Sequence, residues 1–79
     1  MLILYVKTGC PYCGKVKAFI DDAGIGEKIT ERNVADDGVV DELVAHGGQA
    51  QVPYLIDEER GESMYESDVV IEYLKTHYA

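Results

Sequence analysis

The chain has two cysteines, and they stand together in Cys10-Pro11-Tyr12-Cys13. A thiol pair at this spacing can cycle between dithiol and disulfide, give two thiolates to a metal, or staple the chain. A staple is a poor use of it, because closing so short a loop stabilises by only about 2 kcal/mol on the loop-length estimate. Metal binding is a weak reading, since one such pair is half a tetrahedral zinc site and His46 and His77 stand at no ligand spacing from it. Reversible redox chemistry is the reading that fits best.

The flanking residues say which sulfur acts. Leu2-Ile3-Leu4-Tyr5-Val6 is a continuous apolar run with β-branched and aromatic members, the pattern of a strand buried on both faces. Thr8-Gly9 breaks it, and from Pro11 onward Val16, Phe19, Ile20 and Ala23 follow the spacing of one helix face. Proline suits the first helical position, where its fixed φ helps and its missing N–H costs nothing. Cys10 therefore falls at or near the N-cap, facing the unpaired N–H groups of the first turn and the positive end of the helix dipole. Both favour thiolate over thiol, and Lys7 adds positive charge nearby. Cys13, one turn further in, has fewer free donors around it. The asymmetry predicts Cys10 as the attacking sulfur and Cys13 as the resolving one.

Seventy-nine residues make one domain, 1–79, near the size at which a single core is just sufficient. A hydrophobic fraction of 47% supports a core, and no apolar stretch approaches a membrane span. Met1-Leu2-Ile3 enters the first strand without a basic leader or cleavage pattern, so a cytoplasmic protein without a signal peptide is expected. A catalytic cysteine pair suits that reducing compartment. Fifteen acidic against seven basic residues give a net charge of −8, which argues against nucleic acid as a partner. The acid is scattered and reads as a solvated surface. Lys7, Lys15 and Lys17, by contrast, gather around the cysteines, a positive field able to hold an anionic thiol; for Lys15 and Lys17 simple solvation is the favoured reading.

After the first helix, Asp21-Asp22-Ala23-Gly24 is a polar stop, and Lys28 to Val34 partly alternates as an edge strand would. Asp36 or Asp37 offers an N-cap to a second helix with Val39, Val40, Leu43 and Val44 as its apolar face, closed by Gly47-Gly48. Val52 to Ile56 then reads as a strand, Asp57 to Gly61 as a charged turn, and Glu62 to Tyr65 as a short returning strand. Ser67 with Asp68 is expected to cap a last helix whose inner face is Val70, Tyr73, Leu74 and His77. A βαβα half followed by a hairpin and a helix predicts an α/β protein, a four-stranded mixed sheet flanked by three helices in the thioredoxin-like arrangement. Its cysteines would lie at the carboxyl end of the first strand, where open α/β sheets place their sites. The Val52-Pro53 bond is expected to be cis.

Tyr5 to Cys13, then Gln51-Val52-Pro53, then Glu66-Ser67-Asp68 together resemble the dithiol glutaredoxins over essentially the whole chain. Cys-Pro-Tyr-Cys is that family's active-site sequence, and Val-Pro matches its cis-proline loop. The resemblance implies glutathione-dependent reduction of glutathione mixed disulfides and protein disulfides, through Cys10 and Cys13. It assigns Lys7, Tyr12, Gln49, Gln51 and Val52 to glutathione's carboxylates and cysteinyl backbone, beside Pro53, and Glu66, Ser67 and Asp68 to its γ-glutamyl group. The physics agrees, since a Val52 backbone can pair with a peptide as an added strand and the start of the last helix suits a carboxylate. Two features depart from the pattern. Met64-Tyr65-Glu66-Ser67-Asp68 replaces the family's Gly-Gly turn and looks more like the glutathione loop of glutathione transferase N-terminal domains, and Gln49 stands where many relatives have arginine.

The expectation is thus a monomer with no bound cofactor or metal, using glutathione as reductant and glutathionylated or disulfide-containing proteins as partners, away from membranes. Two rival readings differ in partner. One is a redoxin reduced directly by a flavoenzyme of the thioredoxin-reductase type. The other is a binding module in which Cys10 and glutathione hold an iron–sulfur cluster between subunits, against which Pro11 counts. A full transferase would need a second, helical domain beyond Ala79.

Overall fold

A computed structural model describes residues 2–79. The elements run β1 (Leu2–Val6), α1 (Pro11–Ala23), a short 3₁₀ turn (Gly26–Lys28), β2 (Ile29–Asn33), α2 (Val39–Gly47), β3 (Tyr54–Asp57), β4 (Glu62–Tyr65) and α3 (Ser67–His77). The sheet order is β2-β1-β3-β4, with β1 parallel to β2 and antiparallel to β3, and β3 antiparallel to β4. This is the expected mixed sheet, with β2 at an edge.

The unbroken apolar run of β1 is explained by cover on both faces. Leu2, Leu4 and Val6 point with Leu55 into a core formed by Val16 and Ile20 of α1 and Val70 and Leu74 of α3. Tyr5 points the other way and joins Tyr54, Ile56, Val39 and Leu43 beneath α2. The period-two alternation of β1 and β3 thus divides one short sheet between two cores. No helix among the described residues is long and apolar enough to cross a membrane.

Several expectations need correction at the ends of elements. Neither Asp36 nor Asp37 caps α2: Gly38, at φ 80°, precedes it, and the Val39 N–H bonds to the Asp36 carbonyl at 3.2 Å. A backbone turn has taken over the task assigned to an aspartate side chain. Val40 and Val44 are each 41% exposed, because a nine-residue helix is seated by the single i, i+4 line of Val39 and Leu43. Neither Ser67 nor Asp68 caps α3. Glu66 is the cap residue, and its carbonyl already accepts the Val70 N–H at 3.0 Å, so Ser67 lies inside the helix. His77 is exposed and stacks on Tyr73, with ring centres 4.5 Å apart. The third strand begins at Tyr54; Val52 and Pro53 precede it, consistent with proline having no N–H for a ladder.

The largest departure is Asp57. Expected in an exposed charged turn, it is the last residue of β3 and wholly buried. Its carboxylate accepts the hydroxyls of Tyr73 at 2.5 Å and Tyr78 at 2.6 Å, and the backbone N–H groups of Glu59 and Arg60. Burial alone would raise its pKa; these donors outweigh burial and hold it below the usual carboxylate value. The carboxylate joins the tip of the hairpin to the C-terminal half of α3. Asp57→Asn keeps the volume but turns an amide towards two hydroxyl donors, and should cost about 2 kcal/mol of stability at neutral pH. Because the folded pKa is depressed, this stabilisation is complete above about pH 4, the unfolded value, and is lost as pH falls through the folded one. Denaturant melts should therefore show wild type and Asp57→Asn converging in acid and separating above that pH.

Candidate active site

The break between β1 and α1 sets the geometry of the cysteines. Cys10 is the N-cap residue in extended conformation, with φ −79° and ψ 118°, and Pro11 is the first helical residue. Since Pro11 has no N–H, the first free amides of the helix belong to Tyr12 and Cys13. These act on the Cys10 sulfur. Its pKa is lowered chiefly by the Cys13 backbone N–H, against a desolvation cost, with help from the Cys13 thiol, the Tyr12 N–H and lastly Lys7. Lys7 contributes, but the helix start contributes more.

Cys13 lies on the inner face of α1, 1% exposed, packed in the same core as Val16. Burial pushes its pKa up to about 11, with the neighbouring Cys10 sulfur acting in the same direction. The two thiols are free rather than bonded to one another. One helical turn therefore carries a partly buried sulfur whose pKa is lowered and a buried one whose pKa is raised. Among the described residues no three His, Cys, Asp or Glu side chains converge on a point suited to a metal ion.

Beside the cysteines lies a cleft of about 400 Å³, lined by Tyr12, Gln51, Val52, Pro53, Glu66, Ser67 and Asp68. Seven of the expected binding residues are thus brought together from three separate parts of the chain. The Val52-Pro53 peptide is cis, as expected, and places the two residues on the wall of this cleft. Tyr12 is 64% exposed at its mouth, an unusual position for a large ring. Ser67, 7% exposed, has no hydrogen-bond partner among the described residues, and no buried side-chain polar atom among them is left unsatisfied, so its hydroxyl opens to the cleft. Lys7 and Gln49 are exposed and lie outside the lining. A larger recess of about 640 Å³ runs between β4 and α3, but no residue of the Cys10–Cys13 segment lines it, whereas Tyr12 lines the cleft, and the two share only Asp68.

Lys15 was not assigned to the site by its spacing, yet its ammonium group is paired with Asp68, joining α1 to α3 across the rim of the cleft. Lys17 is paired with Glu31 at 3.0 Å and faces away, towards β2. The signal that would have separated these lysines is tertiary: α1 and α3 share one face of the sheet. Glu66 takes a φ of 73°, a left-handed conformation that side chains disfavour, on the cleft wall.

Fold and site together define a thioredoxin-like domain with an asymmetric cysteine pair beside a preformed cleft. The family model of the glutathione S-transferase N-terminal domain matches residues 4–79, and the chain belongs to that family. It is 35% identical over 54 residues to a glutaredoxin from Ricinus communis, an alignment spanning 66% of this chain and 53% of that one. A glutathione transferase family member from Pseudomonas fluorescens Pf-5, solved with bound glutathione, superposes with a TM-score of 0.82 at 21% identity, over 100% of this chain and 39% of that one. A glutathione S-transferase from Methylobacillus flagellatus KT, also with glutathione bound, gives 0.68 at 28% identity, over 100% and 37%. The chain spans about half the length of the glutaredoxin and under two-fifths of the transferases. These relatives place it among glutathione-related thioredoxin-like domains.

Alkylation by iodoacetamide should read the sulfurs separately. In Cys13→Ser the rate is expected to rise with pH through a midpoint below that of an ordinary thiol, roughly 8.5, and to level off above it. In Cys10→Ser the remaining thiol should stay slow up to pH 10. Matching profiles for the two variants would contradict the asymmetry.

Proposed function

We propose that this domain is a glutathione-dependent thiol–disulfide oxidoreductase that reduces glutathione mixed disulfides and protein disulfides. One observation carries the reading: a thiolate-favouring Cys10 and a proton-retaining Cys13 share one helical turn at the edge of the cleft. The Cys10 thiolate attacks the glutathione sulfur of a mixed disulfide, forms a new S–S bond to it, and releases the client as a thiolate that takes up a proton. A second glutathione, as thiolate, then attacks the sulfur of the bound glutathione; oxidised glutathione leaves and the Cys10 thiolate is restored. With a protein disulfide, Cys10 joins one client sulfur and expels the other. Cys13 then loses its proton and attacks Cys10, which frees the reduced client and leaves Cys10–Cys13 oxidised.

In this proposal the Val52 backbone pairs with the glutathione peptide, Tyr12 and Gln51 flank it, and Ser67 and Asp68 receive the γ-glutamyl end. Any ammonium group reaching Asp68 must share it with Lys15. Gln49 and Lys7 would act from outside the cleft, on the outer carboxylate. A cytoplasmic setting belongs to the same proposal, because a reducing pool of glutathione must regenerate the thiols. The family match supports a second reading, transfer of glutathione to an electrophile, in which the cleft would hold glutathione while its own sulfur attacks.

Turnover of a glutathione mixed disulfide, coupled to glutathione and its reductase, separates these readings. Wild type should turn over, Cys13→Ser should retain that activity, and Cys10→Ser should lose at least about a thousand-fold, as expected for removal of an enzymatic nucleophile. An inactive wild type that instead conjugates 1-chloro-2,4-dinitrobenzene would favour the transferase.

A further inference from the structure

The segment between α2 and β3 carries Gln49, Gln51, Val52 and Pro53, yet most of it is exposed and belongs to no ladder. Its start is bonded to α2 through the Gly48 N–H and the Val44 carbonyl at 2.8 Å and its end is anchored by buried Pro53; between them, one side-chain contact from outside the cleft holds it. The Tyr65 hydroxyl donates to the Gln49 carbonyl at 2.9 Å and accepts from the Gln49 N–H at 3.1 Å, so both polar groups of a single peptide position are clasped by one side chain. The ring that carries this hydroxyl is itself fixed. It lies 4.3 Å from the Tyr54 ring, centre to centre, in the directly opposed pair Tyr54↔Tyr65 of the β3–β4 ladder. Tyr54 is 2% exposed, and its own hydroxyl meets His46 Nδ1 at 2.7 Å on α2.

Gly47 makes room for this arrangement. A Cβ there would overlap the Tyr65 hydroxyl and stand 3.0 Å from the Tyr54 ring. Its φ is not in the left-handed region, so the absence of a side chain answers to space rather than to backbone conformation. Tyr65 is also the residue immediately before Glu66, Ser67 and Asp68. It therefore ties the two walls of the cleft to each other: the Gln51-Val52-Pro53 wall through Gln49, and the opposite wall through its own backbone.

We propose that Tyr65 is a positioning residue for the glutathione site, its hydroxyl holding the 48–53 segment in the binding conformation before ligand arrives, with Gly47 as the space it requires. The inference rests on the proposed glutathione site and deepens it. Preordering matters here because an unrestrained segment of this length would lose backbone freedom on binding, and that loss subtracts from affinity.

Calorimetric binding of S-methylglutathione, which cannot exchange disulfides, tests it with no dependence on turnover. Tyr65→Phe keeps the ring and removes the clasp; the Kd should rise about ten-fold and exchange of the Gln49 amide should quicken by a similar factor, while the alkylation profile of Cys10 is unmoved. A purely structural role would lower the melting temperature and leave the Kd of the folded protein unchanged. Gly47→Ala, whose Cβ would displace the same hydroxyl and its ring and also crowd Tyr54, should weaken binding at least comparably. Unchanged affinity in Tyr65→Phe overturns the inference and leaves the proposed function standing. Failure of the wild type to bind S-methylglutathione overturns both.

Discussion

The structure depends on how a strand buried on both faces is made to end. β1 can be apolar throughout only because α1 and α3 cover one side of it and α2 the other. Where that run stops, Pro11 starts a helix without offering an N–H of its own, and the first unpaired amides are turned on Cys10. The lowered pKa of the sulfur is thus a property of the strand-to-helix junction. Lys7 is the smallest of the named contributors to the lowered Cys10 pKa. The same helix turn that exposes Cys10 buries Cys13 among Val16, Val6 and Val70, so one piece of backbone sets the two thiols apart.

The rest of the fold brings a binding wall to that junction from far along the chain. β3 pairs with β1 in a register that sets Tyr54 opposite Tyr5, and this places the cis Val52-Pro53 step beside the cysteines. β4 then returns along β3 and delivers Glu66, Ser67 and Asp68 to the opposite wall. Two polar arrangements hold this second half: Asp57 gathers the hydroxyls of Tyr73 and Tyr78, and Tyr65 clasps Gln49. Among the ion pairs, Lys15 with Asp68 and Lys17 with Glu31 are about half exposed or more, so each adds little stability; the position of the first on the cleft rim is its significance.

Much of this was legible in the residues because local chemistry and tertiary outcome coincide there. Cys-Pro at a helix start, the apolar run of β1, the glycines after α1 and α2, and a proline before β3 each have one common structural use. The cleft residues from Tyr12 to Asp68 were legible through resemblance rather than through spacing. What was not legible depended on partners distant in sequence. Asp57 stands in an acidic stretch with Glu58 and Glu59, and only Tyr73 and Tyr78, brought round by α3, explain its burial. Val40 and Val44 have the right period for a core face, but the helix is too short to seat them. Asp36, Asp37 and Ser67 are good capping types displaced by backbone groups that reached the same donors first. Tyr65 looked like an ordinary strand residue, since its role lies in a hydroxyl reaching across to Gln49.

In the proposed function, Cys10 is the sulfur that exchanges with glutathione. The most direct test exposes reduced Cys13→Ser and Cys10→Ser to oxidised glutathione, quenches with acid after seconds, and measures the intact masses. One glutathione on the variant that keeps Cys10, and none on the variant that keeps Cys13, is the predicted result. Equal labelling of both, or a faster reaction at Cys13, would mean that the helix start does not single out Cys10.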